Sequence, residues 1–284
     1  MTMKTNNFAV FIVTHGRADS CLTDKTLRKQ NYTGAIYYIV DDEDEQLEQY
    51  RKNFGDSVIV FNKQDLIAKT DTIDNGGNTN AVVFARNAVF DIAAKLNLDF
   101  FLELDDDYQS FDFRFKDGDQ LRGMSPKNLD TLFDATIDFL VESDALTVAY
   151  AQGGDFIGGL KGNSNKKALL RKAMNSFFCR TSKPFTFCGR INEDTNMYVL
   201  YGSQGQKIFT ITDLMINQPN TQSRSGGLTD IYLDLGTYVK SFYSVVCNPA
   251  AVRVTAMGDG HYRIHHAIDW NACTPRIINE RHRK

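Results

Sequence analysis

Nine residues carry the strongest chemical signal in this 284-residue chain. Phe100-Phe-Leu-Glu-Leu-Asp-Asp-Asp-Tyr108 is an apolar run that ends in three consecutive carboxylates. Adjacent Asp side chains repel one another unless a cation or hydrogen bonds offset their charge. A hard divalent ion with oxygen ligands, bridged to substrate phosphates, is the natural remedy. The competing reading is a solvated acidic turn that caps the next helix. Two further polar clusters follow apolar runs, Thr14-His15-Gly16-Arg17 and Asp41-Asp42-Glu43-Asp44. Thr and Arg can hydrogen-bond a base and a diphosphate, and Asp can accept from ribose hydroxyls or a ring N–H. Arg86, flanked by small residues in Phe84-Ala-Arg-Asn-Ala88, could reach a diphosphate or form a structural salt bridge.

Later in the chain, Asn192-Glu193-Asp194-Thr195 offers carboxylates suited to taking a proton from an attacking hydroxyl. On spacing alone a helix N-cap is the favoured reading of these four residues. Gly153-Gly154-Asp-Phe-Ile-Gly-Gly159 lets backbone approach a ligand closely, but no Gly-Lys-Ser/Thr follows to make a phosphate loop. Gly258–His266 places His261, Arg263 and His265 on one face if it is a strand.

These groups need a scaffold that delivers strand ends to one edge. Phe8–Val13, Ala35–Val40, Ser57–Phe61 and Phe100–Leu104 read as strands buried on both faces. Thr23–Asn31, Glu45–Phe54, Asn80–Leu96 and Asn128–Ser143 read as helices between and after them. The alternation predicts an α/β fold with a mostly parallel central sheet, whose ligands bind at the carboxyl ends of the strands. The second half is less regular. Ala145–Gln152 reads as a strand, Asn165–Met174 as a helix, and Met197–Tyr201 with Gln206–Thr212 as a hairpin about Gly202–Gly205. Asn220–Gly227 reads as a loop. A soft boundary falls near residue 145, dividing 1–145 from 146–284, with one continuous sheet crossing it.

The net charge of −3 excludes a chain-wide basic excess. Between Phe156 and Asn192, however, there is no Asp or Glu, while Lys161, Lys166, Lys167, Arg171, Lys172, Arg180, Lys183 and Arg190 are present. On a helix from Asn165, Lys167 and Arg171 share a face with Lys172 at its edge and Lys166 less well placed. Such a track suits phosphates, with Phe177, Phe178 and Phe185 as stacking surfaces for bases, or is a solvated basic face over packing aromatics. Five cysteines without a CxxC pair suit a reducing compartment. Phe8–Val13 is too short for a signal peptide or membrane span, so a soluble cytoplasmic protein is expected.

Together, Thr-His-Gly-Arg, Asp-Asp, Ala-Arg-Asn and Leu-Asp-Asp-Asp resemble the GT-A glycosyltransferases. That resemblance implies metal contact by Asp107 and Asp105, with His261 as a late metal ligand and Mn²⁺ or Mg²⁺ as the cofactor. It implies a nucleotide sugar, most simply a UDP-sugar, bound by Thr14, His15, Arg17, Asp41, Asp42, Arg86, Asp105, Gly153 and Gly154. By the same resemblance, 1–145 is the nucleotide-binding half and 146–284 the acceptor half. Arg190–Asn196 looks like the Glu-Asp segment of inverting members, which makes Asp194 the catalytic base and Glu193 the second choice. More narrowly, Asp-Asp-Asp-Tyr, Gly-Gly-Asp-Phe-Ile-Gly-Gly and Asn-Glu-Asp-Thr resemble the TET-associated glycosyltransferases of bacteriophages. Membership implies transfer to a hydroxymethylated pyrimidine in DNA, such as 5-hydroxymethylcytosine, in the host cytoplasm, with Lys166, Lys167, Arg171 and Lys172 on the DNA. The rivals are a protein or glycan hydroxyl as acceptor, nucleotidyl transfer, or a binding module without catalysis. Nucleotidyl transfer would call for a Gly-rich basic loop after the first strand, and Thr14–Ser20 contains a single Gly.

Overall fold

In β1 (Phe8–Val13) every residue is buried, as a continuous apolar run requires when both sheet faces are covered. Its alternation divides the chain's interior in two. Ala9, Phe11 and Val13 pack with Val83, Phe84 and Ala88 of helix α4 (Val82–Lys95). Phe8, Val10 and Ile12 pack with Leu129, Phe133 and Ile137 of helix α5 (Leu129–Ser143) on the other face. The structure, a computed structural model, describes residues 7–74, 76, 79–162, 170–219, 238–257 and 263–274.

β1 lies between β2 (Ala35–Asp41) and β4 (Phe100–Asp105), parallel to both, and β2 continues to β3 (Val58–Phe61). Val13 stands opposite Ile39 on one side and Asp105 on the other. The polar residues after these strands therefore emerge at one edge. Helices α1 (Thr23–Lys29), α2 (Leu47–Phe54) and α3 (Lys63–Ile67) occupy the connections.

The sheet extends through β5 (Ser110–Asp117), β6 (Gln120–Met124), β7 (Thr147–Gln152), β8 (Ser176–Arg180) and β9 (Ile208–Asn217) in the order β3-β2-β1-β4-β8-β7-β9-β5-β6. β8 and β5 run against the direction of the others. This is the mixed α/β architecture expected from the sequence. Strands from both sides of residue 145 belong to the one sheet. Among the described residues, helices α6 (Glu193–Ser203), α7 (Val239–Cys247) and α8 (Trp270–Cys273) follow, with the antiparallel pair β10 (Val252–Met257) and β11 (Arg263–Ile268). Among the described residues no helix is long and apolar enough to cross a membrane.

The second half departs from expectation in three places. Met197–Tyr201 is the middle of α6, not a hairpin strand, and Gly202-Ser203 continues the helix. Residues 170–174 are not helical, whereas the rest of the expected basic helix, and all of Asn220–Gly227, lies outside the described residues. Phe177 and Phe178 are fully buried on β8 and Phe185 is 4% exposed, so their rings pack the interior and are not surfaces for stacking bases.

Candidate active site

The acidic triplet divides its work. Asp105 is the last residue of β4, and strand alternation turns its neighbour Asp106 the other way. Asp106 is 3% exposed. It accepts from Thr14 Oγ1 at 2.6 Å and from Arg17 Nη1 at 2.6 Å, while its carbonyl accepts from Leu22 N at 2.8 Å. The middle carboxylate thus fastens the β1 loop and the start of α1 to β4. All three residues of the triplet line a cavity of about 330 Å³ at the strand ends, Asp106 with its carboxylate already bonded.

Behind that cavity Arg86 is 1% exposed and shared by three carboxylates. Its Nη1 meets Glu103 at 2.5 Å, its Nη2 meets Asp105 at 2.9 Å, and its Nε meets Glu193 at 2.9 Å. The rings of Phe177 and Phe187 flank it at 5.3 and 5.7 Å. Each guanidinium nitrogen is aimed at a carboxylate, so Arg86 organises the acids and is not extended towards a diphosphate as the sequence suggested. Burial pushes the carboxyls of Glu103 and Asp105 up to about 7, with Arg86 opposing the rise. Charge on Asp107 pushes Asp105 further in the same direction. Three carboxylates around one guanidinium leave surplus negative charge facing the cavity. A divalent cation held by Asp105 and Asp107 fits that surplus and the oxygen donors present.

Across the cavity, His15 Nδ1 donates to Asp41 Oδ2 at 2.8 Å. That hydrogen bond holds the imidazole above its ordinary value, against the effect of burial. His15, Asp41 and Asp44 bring ligand atoms within 4.8 Å of one another and could hold an ion. Protein donors already answer them, however. Lys63 Nζ lies 3.4 Å from Asp41, and Asp44 accepts from Gly16 N at 2.7 Å and from Gln46 N at 2.8 Å. Lys63 also donates to Asn80 Oδ1 at 3.1 Å, and both residues line the cavity. Sequence reasoning missed this pair, although Asn62-Lys63 follows β3 at the same edge and could have revealed it. Asp42 accepts from Lys63 N and Asn62 Nδ2 at 2.9 and 2.8 Å and does not line the cavity.

The far wall comes from the start of α6. Asn192 is left-handed, with φ 55°, and its amide donates to the Lys240 carbonyl at 2.6 Å and to Ser244 Oγ at 3.1 Å on α7. Glu193 turns to Arg86. Asp194, 4% exposed, lines the cavity and accepts from Thr195 N at 2.6 Å. Burial, with charge on Glu193 adding, pushes its carboxyl up to about 7. Met174, Asn175 and Lys240 line the same wall and were not anticipated.

The cavity thus gathers Thr14, His15, Arg17, Asp41, Arg86, Asp105, Asp107, Glu193 and Asp194. Other expected residues fall elsewhere. Gly153 and Gly154 form a tight turn after β7, closed by reciprocal bonds between Gln152 and Asp155, and do not line the cavity. Arg171 and Lys172 lie 3.8 and 3.7 Å from Asp155. The Arg171 side chain is only 11% exposed, so it is not part of an open basic face. His261, Lys166 and Lys167 lie outside the described residues.

No curated protein matches the sequence. Among solved structures, the chain is similar to glucosyl-3-phosphoglycerate synthase from Mycobacterium tuberculosis, in complex with Mn²⁺, UDP and phosphoglyceric acid. That match has 12% identity, covers 92% of this chain and 87% of that one, and has a TM-score of 0.44. It is also similar to the mannosyltransferase PcManGT from Pyrobaculum calidifontis, in complex with GDP-Man and Mn²⁺. Here identity is 12%, coverage 76% and 58%, and the TM-score 0.45. S. aureus TarS matches at 15% identity over 83% of this chain and 40% of its own, with a TM-score of 0.44. The TET-Associated Glycosyltransferase family matches residues 8–227, which takes in the whole sheet, the acidic triplet and Glu193-Asp194. The chain belongs to the TET-associated glycosyltransferase family and is a glycosyltransferase.

Proposed function

We propose that the chain transfers a sugar from a nucleotide-sugar donor, a UDP-sugar in the simplest case, to the hydroxymethyl group of a modified pyrimidine in DNA, such as 5-hydroxymethylcytosine. The observation that carries the donor half of this reading is the division of the triplet. All three carboxylates border the cavity, but that of Asp106 is taken up by Thr14 and Arg17 of the β1 loop, whereas that of Asp105 meets Arg86. Asp105 and Asp107 would hold Mn²⁺ or Mg²⁺, which supplies charge stabilisation for the departing diphosphate. Thr14, His15, Asp41, Lys63 and Asn80 form the polar wall suited to the nucleoside. Asp194 stands on the other wall, and its raised pKa suits a base working near neutral pH. It would take the proton of the acceptor hydroxyl as the oxygen attacks the anomeric carbon, on the face opposite the diphosphate, with inversion. Arg86 and Glu193 fix the distance between these two walls.

DNA as acceptor is supported by the family and by the acid-free stretch from Phe156 to Asn192. The second reading, a protein or glycan hydroxyl, is favoured by the proximity of Arg171 and Lys172 to Asp155. Mass spectrometry of hydroxymethylated DNA, incubated with the protein and a panel of nucleotide sugars with and without EDTA, decides between them. A mass increase that needs both the metal and the hydroxymethyl group supports DNA. Donor hydrolysis without any DNA product moves the acceptor to the second reading.

A further inference from the structure

Cys188 and Cys247 are 59 residues apart in the chain, yet their Sγ atoms lie 3.6 Å apart. Both thiols are half-buried, whereas Cys21, Cys179 and Cys273 are buried. Cys247 is the last residue of α7, and Cys188 opens the segment that leads to Glu193 and Asp194. The two elements are already docked by hydrogen bonds. Arg190 N donates to Tyr243 Oη at 3.3 Å, and the Asn192 amide reaches Lys240 and Ser244. Next to Cys188, Gly189 has φ +87°, and a Cβ there would lie 2.5 Å from Asn196 Nδ2 and 3.0 Å from the Tyr243 ring. The segment is thus packed closely against α7.

We propose that Cys188 and Cys247 are an oxidative modification site, at which a low-molecular-weight disulfide such as oxidised glutathione converts the docked thiols into a protein disulfide. The hydrogen bond from Cys188 holds the Cys247 thiol below its ordinary value, against burial and the charge of Asp71. Cys247 is therefore the sulfur that ionises and attacks, since the thiolate is the nucleophile. Its thiolate displaces one glutathione to give a mixed disulfide. Cys188 sulfur then attacks Cys247 sulfur and displaces the second. Two protein thiols and one oxidised glutathione become one protein disulfide and two glutathione thiols, which take up both protons. The covalent link ties α7, and with it Lys240, to the wall that carries Asp194. This inference is independent of the donor and acceptor proposed above.

The test uses the full native chain, treated with oxidised glutathione, alkylated with iodoacetamide and digested without reduction. The expected result is a peptide pair joined through Cys188 and Cys247, with loss of alkylation at both. Cys188→Ser should halt at a glutathione adduct on Cys247. Hydrogen exchange over Val239–Cys247 should slow in the oxidised wild type and recover with dithiothreitol. Recovery of both cysteines as alkylated thiols, or as separate glutathione adducts, overturns the proposal. A link that leaves exchange in α7 unchanged overturns its tethering role.

Discussion

Arg86→Met tests the shared arginine directly. The variant keeps an apolar stem between Phe177 and Phe187 but withdraws the cation that Glu103, Asp105 and Glu193 share. Removing one partner of a buried ion pair costs about 3–5 kcal/mol, and three stranded carboxylates place this site towards the upper end. At about 2.1 cal/mol/K per residue, a chain of 284 residues has an unfolding entropy near 0.6 kcal/mol/K. The melting temperature should therefore fall by about 5–8 °C. The loss should also depend on pH. Burial already raises Glu103 and Asp105 to about 7, and removal of Arg86 raises them further. A carboxyl whose folded pKa exceeds its unfolded value near 4 costs stability progressively as pH climbs between the two. The deficit should thus be smaller at pH 5 than at pH 8. Arg86→Lys should recover only part of it, because an ammonium lacks the fork that reaches three acids. Chemical denaturation at both pH values, with far-ultraviolet circular dichroism as the check on folding, gives the numbers. A deficit below about 1 kcal/mol, or one that is equal at pH 5 and pH 8, refutes the reasoning.

The other carboxylates should separate by role. Asp107→Asn should abolish transfer and erase the thermal stabilisation given by UDP with Mn²⁺, with the fold intact; wild-type turnover that persists in EDTA contradicts it. Asp106→Asn should instead cost about 1–3 kcal/mol of stability through the Thr14 and Arg17 bonds and keep metal-dependent turnover, read by denaturation and by a metal titration. Asp194→Asn should lower turnover roughly 10²–10⁴-fold while donor affinity barely moves. Because the base must be ionised, wild-type kcat/KM should rise through an apparent pKa of about 7 and then level off. An Asp194→Asn variant that retains that rise assigns the base elsewhere.

The elements that place the donor side were legible because their burial is simple. β1 and β4 are apolar runs covered on both faces, and α4 presents a periodic stripe to one of them. α6 gave no such signal. Glu193 through Val199 are all buried, a polar turn followed by an apolar one, so no solvent face sets a helical period. Met-Tyr-Val-Leu-Tyr then reads by local preference as a strand. The arginine network was equally hidden, since Arg86 and Glu193 are 107 residues apart and neither departs from an ordinary helix locally. The triplet showed the opposite. Its chemistry was visible at once, but which carboxylate is turned inward depends on Thr14 and Arg17 and emerges only from the pairing of β1 with β4.

The position of β8 in the sheet has a consequence for synthesis on the ribosome. β8 is inserted between β4 and β7, although residues 176–180 are made after both neighbours. A nascent chain halted before residue 176 holds β4 as an open edge, with unpaired backbone groups able to template contacts with other chains. At that stage Arg86, Glu103 and Asp105 have been synthesised, but the third partner of Arg86, Glu193, has not yet been translated. Closure of β8 onto β4 thus precedes completion of the cavity during vectorial folding. The unfinished enzyme cannot bring its proposed base opposite the acidic triplet until α6 has left the exit tunnel.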